Sequence, residues 1–402
     1  MLRNPYVLLM AVIHKEGGIY TMYRRKFTVL LSLLLVTIIT VATMVTPAVA
    51  YTGYPLNTGD VEIADALDYL REIQASDGSI GSYSDSAWAV MAIAAARKNP
   101  DKWQVAGVSV VDYLKNNASM LSGEFNLGAA YARLVLAIIA AGEDPSAFGP
   151  GDATYAPGGD YLSKLKELHN GVQFTDGFGS VDLLNDDFWG LLALIAAREP
   201  RSSTLVSTTV TFIKDNQAED GGWCWGTTAN PYYSGSDVDD TAAAIMALIA
   251  AGENPYSAVI NDAMAYMREQ QDFCGGFLSW GVANLGSTNV AVDAMNSAMR
   301  NPLSSYWTPG TVNPVDYILG FQEAEGSFFD PGAWTPAREK NTSDAIIALL
   351  GKSYPVRYYH IVSVGGSAFP VNSTAIVLPW LILGVALVLA LVVIFKYRVI
   401  KN

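Results

Sequence analysis

The stretch FIKDNQAEDGGWCWGTTANPYYSGSDVDDTAAAIMALIAAG, residues 212–252, decides how this chain folds. Phe212, Ile213 and Gln217 close one helix, and Gly221-Gly222-Trp223 make a turn that ends on an aromatic. A polar loop follows, and Asp237-Val238-Asp239-Asp240-Thr241 opens a second, alanine-rich helix. Working outward, the same plan recurs: aromatic, aliphatic, three residues, Gln, three residues, Gly, any residue, aromatic. Tyr266-Met267 with Gln271 and Gly275-Gly276-Phe277 fit it, as do Tyr317-Ile318 with Gln322 and Gly326-Ser327-Phe328. Tyr69-Leu70 with Gln74 and Gly78-Ser79-Ile80 fit except at the last position. Two degenerate copies complete the series, Tyr113-Leu114 leading to Gly123-Glu124-Phe125 and Tyr161-Leu162 leading to Asp176-Gly177-Phe178. Self-similarity at such a period identifies a repeat architecture.

Each turn precedes an Ala/Leu/Ile-rich helix, expected at 86–96, 131–141, 186–197, 239–251, 288–299 and 342–350. The first helix of each unit is amphipathic. The second is apolar nearly all round, so it must be buried on several sides. Gly142 and Gly252 stand where helix-ending glycines belong, with Pro145 and Pro255 beyond them. The expectation is an all-α chain, an (α/α)6 toroid of six helix pairs with the apolar helices inside. The repeated Gln is structural in this reading: its amide ties an outer helix to the backbone of a neighbouring turn.

The Gln-to-Gly-x-Trp/Phe motif and the six helix pairs, over residues 60–355, resemble the prenyltransferase/squalene-oxidase repeat superfamily. Its members are α/α toroids: class II terpene cyclases such as squalene–hopene cyclase, protein prenyltransferase β subunits and cobalamin carriers. The unit endings Ala-Ala-Gly-Glu-Asp/Asn-Pro at 140–145 and 250–255 look most like secreted bacterial and archaeal repeat proteins of this group. The resemblance is specific for the fold and weak for the function.

The ends read as membrane signals. Arg24, Arg25 and Lys26 precede an apolar run from Val29 to Val45 and then Ala48-Val49-Ala50, the layout of a secretory signal within a leader of residues 1–50, with Met22 as an alternative start. Residues 375–395 carry no charge, enough for roughly 31 Å of helix at about 1.5 Å per residue. Lys396, Arg398 and Lys401 follow. This layout predicts a toroid over 51–355, a linker over 356–374, a single membrane span over 375–395 and a cytoplasmic tail over 396–402, with the toroid extracytoplasmic at the cell membrane. Between the leader and the span there are 17 basic and 37 acidic residues, a net charge of −20. Such a surface repels nucleic acid and lacks the basic cluster a diphosphate wants.

Three chemistries are weighed. Asp237-Val238-Asp239-Asp240 resembles the DxDD motif of class II cyclases, which by that match makes Asp239 the general acid with Asp237 and Asp240 tuning it. Protonating an alkene needs a neutral acid in a dry pocket lined by aromatic faces. Against this, the same aspartates suit a helix cap, and a helix N-terminus favours the ionised carboxylate. A zinc prenyltransferase is unlikely, because Cys274 has no histidine in a later repeat before His360. The favoured reading is a binding or interaction module without a cofactor. Its rim is formed by Tyr83, Phe188, Trp189, Trp225, Tyr232, Tyr233, Trp280 and Trp334, which suit an apolar or flat small molecule (corrinoid-like or isoprenoid) or a surface partner. Cys224 and Cys274, beside equivalent turns of neighbouring repeats, are candidates for a disulfide.

Overall fold

The computed structural model describes residues 53–333 and 337–356, and these are mostly helical. Outer helices α1 (Val61–Glu72), α3 (Val110–Asn116), α5 (Tyr161–Glu167), α7 (Thr204–Asp215), α9 (Ala258–Glu269) and α11 (Pro314–Leu319) alternate with six inner ones. The inner set is α2 (Tyr83–Ala95), α4 (Leu127–Ala141), α6 (Asn185–Ala196), α8 (Val238–Ala251), α10 (Leu285–Ser297) and α12 (Arg338–Leu349). The inner helices start one to four residues before the positions expected from sequence. Their caps explain the earlier starts: Ser82, Asn126, Asp237 and Asn284 each accept a backbone N–H of the first turn, a gain of about 1 kcal/mol per cap. Gly142 and Gly252 end α4 and α8 as expected.

Burial separates the two sets. Outer helix α7 buries only Val206, Thr209 and Ile213, one stripe at helical spacing, whereas α8 buries Val238 and every residue from Asp240 to Leu248. The reason is visible in the packing order. Each inner helix touches two others, α2 to α4, α4 to α6, and so on through α10 to α12, and α12 returns to α2. Every outer helix lies against the inner helix that precedes it, with α1 closing onto α12. This cyclic order is compatible with an α/α toroid.

The repeated glutamines hold the seams. Gln74 Nε2 donates to Gly78 O and Trp103 O, both at 3.0 Å. Gln217 Nε2 donates to Gly221 O at 2.8 Å and Val259 O at 2.9 Å, and Gln271 Nε2 to Gly275 O and Trp307 O, both at 2.9 Å. In each case one acceptor is the repeat's own glycine turn and the other is backbone at the start of the next repeat. Gln322 does the same across the chain ends, with Gly326 O at 3.2 Å and Glu62 O at 2.8 Å. The structural role expected for the glutamine is what these bonds show. Gly326 has φ +94°, and a Cβ there would stand 2.3 Å from Asp65 O of α1, so the seam closes only over a glycine.

Several expectations need correction. The aromatic of the third repeat is Phe174, not Phe178. Phe174 is fully buried, pairs by a β-bridge with His169 and donates its N–H to Asp187 Oδ1 at 2.8 Å, while Phe178 is exposed. His169 thus takes the glutamine's place, one residue closer to its aromatic, with Nε2 3.2 Å from Thr209 Oγ1 on α7. In the second repeat Phe125 is exposed and Glu124 pairs with Arg133 at 2.6 Å instead of building the turn. The chain is also not purely helical: β1 (Gln104–Val105) with β2 (Val108–Ser109), β3 (Gly151–Asp152) with β4 (Ala156–Pro157), and β5 (Phe277–Ser279) with β6 (Val282–Asn284) form three antiparallel hairpins in the connecting loops.

The single-pass location and the membrane partner are likewise corrected. Among the described residues no helix is long and apolar enough to cross a membrane. The leader, the linker beyond residue 356, and the stretch 375–395 on which the span rested lie outside the described residues.

Candidate binding site at the centre of the inner helices

The N-terminal halves of α8, α10 and α12 bring together the polar groups of the inner layer. Asp237 is the N-cap of α8 and accepts Asp240 N–H at 2.8 Å, so its carboxyl is engaged in capping. Asp240 is buried and accepts from Asn185 Nδ2 at 3.0 Å. Burial raises the pKa of both carboxyls, and the Asp240 charge raises Asp237 further.

Asp239 faces elsewhere. Solvent reaches it, although protein surrounds its carboxyl. The surrounding protein raises its pKa, while the Ser287 hydroxyl bonded to it and the Lys340 charge oppose the rise. Lys340 Nζ sits 2.5 Å from Asp344 Oδ2 and 5.1 Å from the centroid of the Trp88 ring. Burial pulls the Lys340 pKa down, and Asp344, Asp239 and Asp293 more than offset this, leaving it raised. Asp344 also accepts the Tyr354 hydroxyl at 3.3 Å.

Beneath this group lies an aromatic floor. Trp88 of α2, Trp189 of α6 and Tyr354, which follows α12, meet edge to face with centroid separations of 5.3 to 5.5 Å. Helix α4 stands between α2 and α6 in the cycle, so the Trp88–Trp189 contact reaches across the middle. Asp293 of α10 is fully buried, and neither of its carboxylate oxygens has a hydrogen-bond partner. Burial, then the Asp344 charge, pushes its pKa well up.

Of the rim residues expected from sequence, Trp189 joins this floor. Phe188 is packed in the core, and Tyr83 is buried with its hydroxyl donating to Leu114 O at 3.0 Å. Trp225 is half-buried and its carbonyl accepts from Leu184 N at 2.8 Å and Asn185 N at 3.1 Å at the start of α6. Tyr232, Tyr233 and Trp280 are exposed, Trp280 at the tip of the β5–β6 hairpin. The seven described residues thus range from core to open surface, and Trp334 lies outside the described residues. Cys224 is buried and Cys274 exposed, and both are free thiols, so the expected disulfide is absent. Trp88, Ser287, Asp293, Lys340, Asp344 and Tyr354 escaped the sequence reading. Two signals could have found some of them: the Lys340/Asp344 spacing of four on one helix, and a lone acid, Asp293, amid the apolar α10.

Among the described residues no three His, Cys, Asp or Glu side chains converge as a metal site. A cavity of about 310 Å³ does exist in the outer layer, between α9 and residues 300–307, lined by Met264, Arg300, Tyr306 and Trp307 among others.

Residues 160–289 match the family model for the squalene-hopene cyclase C-terminal domain. This match is consistent with the prenyltransferase/squalene-oxidase repeat superfamily. Among solved structures, the type II terpene cyclase MstE from Scytonema is similar, with a TM-score of 0.48 at 12% identity over 72% of this chain and 96% of that one. The ent-copalyl diphosphate synthase from Streptomyces platensis gives 0.45 at 18% identity, over 67% of this chain and 50% of the synthase. No curated protein matches the chain.

Proposed function

We propose that residues 51–355 form an (α/α)6 toroid that works as a binding module. Its central mouth receives a flat or apolar small molecule that also carries a hydrogen-bond donor. The observation that supports this most is the floor of Trp88, Trp189 and Tyr354 lying below a polar wall that includes Asp239. Apolar area rests on Trp189, the partly exposed ring that the buried Trp88 and Tyr354 hold in place, and a donor on the ligand meets carboxylate. Native mass spectrometry of the purified full chain tests this. A retained small molecule that is lost in Trp189→Ala is expected. A folded wild type that retains none, and takes up none from a lipid-soluble or polar extract, overturns it.

One observation favours a second reading, a class II terpene cyclase-like enzyme of the squalene–hopene kind. The raised pKa of Asp239 makes its neutral, proton-donating form more accessible than that of an ordinary aspartate. Its neighbours argue the other way, since Ser287 and Lys340 both stabilise the charged form. Incubation with squalene separates the two readings: a cyclised product that disappears in Asp239→Asn supports the enzyme, and unchanged squalene supports binding alone.

A further inference from the structure

We propose that the central mouth is a receptor for an organic ammonium group, and that Lys340 occupies it in the free protein as a tethered stand-in. The inference rests on the binding reading above and names its ligand class. Lys340 shows the recognition geometry directly: its Nζ lies 2.5 Å from a carboxylate oxygen and 5.1 Å from an indole centroid. Those are the two contacts, ion pair and cation–π, that a bound ammonium would make.

The acids around it outnumber the lysine. Asp344 is its ion-pair partner, Asp239 and Asp293 also act on the one ammonium, and Asp293 is held towards its neutral form until a further cation joins it. Asp293 is the telling member. It is fully buried with both oxygens unpartnered, and Asn289, one turn earlier on α10, also keeps a buried oxygen without a donor. A buried carboxyl without donors is costly, so a site that retains one is short of N–H groups. An ammonium supplies up to three, and it brings no acceptor to compete. Exchange is open to it, because the Lys340 side chain is 36% exposed whereas that of Asp344 is 1% exposed. Lys340 can swing outward and leave Asp344 and the Trp88 face to a ligand whose apolar body lies on Trp189, the partly exposed ring of the three, Tyr354 being buried beneath. A bare metal ion fits poorly here, since aromatic faces offer it no ligand atom.

The test is a titration of the full chain with 2-phenylethylammonium, using 2-phenylethanol as the neutral isostere, followed by tryptophan fluorescence and thermal midpoint. The ammonium should bind at least tenfold more tightly than the alcohol. Lys340→Met, which removes the tethered competitor, should tighten ammonium binding a further tenfold, and added ammonium should raise its lowered thermal midpoint. Asp293→Asn, which leaves the Lys340–Asp344 pair in place, should weaken ammonium binding at least fivefold. Equal affinity for ammonium and alcohol, both abolished in Trp189→Ala, would overturn the ammonium assignment and leave the binding module standing. No binding of ammonium to folded Lys340→Met would overturn the assignment too, while the retained-ligand experiment decides the module by itself.

Discussion

The seams between repeats and the centre of the inner helices are built on opposite plans. At four seams the same side chain makes the same two bonds: Gln74, Gln217, Gln271 and Gln322 each join their own glycine turn to the backbone of the next repeat. At the centre little repeats. Trp88 and Trp189 do stand at one position of their repeats, two residues after Ser86 and Asp187, which each accept a turn N–H, but Asp293, Lys340 and Tyr354 have no like residue at the matching place of another unit. Because each seam faces the same geometric problem, one residue pattern solves it each time. The centre is a single place, so it is free to carry residues that the packing of repeats does not demand, including a carboxyl left without partners.

This contrast can be broken at the seams first. Gln271→Ala removes two hydrogen bonds and leaves Gly275 O and Trp307 O without their donor. A loss of about 4 kcal/mol is expected, read as a lower urea midpoint at unchanged m. A loss under about 1 kcal/mol would make the motif a by-product of helix packing.

Next comes the inner layer, where Asp186 tests how buried acids are carried. Burial raises its pKa to about 6, opposed by the hydrogen bond from Asn126. An acid whose pKa is higher folded than unfolded stabilises the fold below its unfolded value, and that contribution is lost as pH rises through the folded value. Stability should therefore fall between about pH 4 and pH 6, by roughly 3 kcal/mol from a two-unit shift. Asp186→Asn should flatten this part of the profile in thermal melts across that range. An unchanged slope would exclude Asp186 as its source.

The third seam sharpens the comparison with a smaller effect. His169 replaces the glutamine: its Nδ1 accepts the Gly171 N–H at 3.0 Å, and its Nε2 meets the Thr209 side chain instead of the next repeat's backbone. His169→Gln should change stability by no more than about 1 kcal/mol in a urea titration, since a similar reach and donor are retained. The smallest effect belongs to the thiols. With Cys224 and Cys274 both free, reductant should leave the thermal midpoint where it is. A clear drop would show that the pair is bonded in solution.

Much of the fold was legible because the seams repeat. Gln and Gly at fixed spacing gave four of the six units, and the apolar inner helices announced which layer is buried. The third unit was misplaced because His169 broke the glutamine pattern and Phe174 came one residue early, so Phe178 looked like the better match. The hairpins were missed because two- and three-residue strands leave no period to read. At the site, Asp237 was legible as both a cap and a candidate acid, and the structure shows the cap. Asp239 reads from sequence as a candidate general acid, but its neighbours Ser287 and Lys340 lie about 50 and 100 residues away and share no motif with it. Trp88 sits among alanines and reads as core. Tyr354 follows the last helix, at the edge of the toroid and outside the repeated motif. Only closure of the ring brings them together.

Everything at the centre depends on that closure, and Gln322 tests it most directly. In a closed ring the Gln322–Glu62 seam is one of several alike, whereas in an open spiral it would join two loose ends. Gln322→Ala and Gln217→Ala, both partly exposed positions, should lower the urea midpoint by similar amounts with a single cooperative transition in each. A near-neutral Gln322→Ala beside a costly Gln217→Ala would contradict the closed ring.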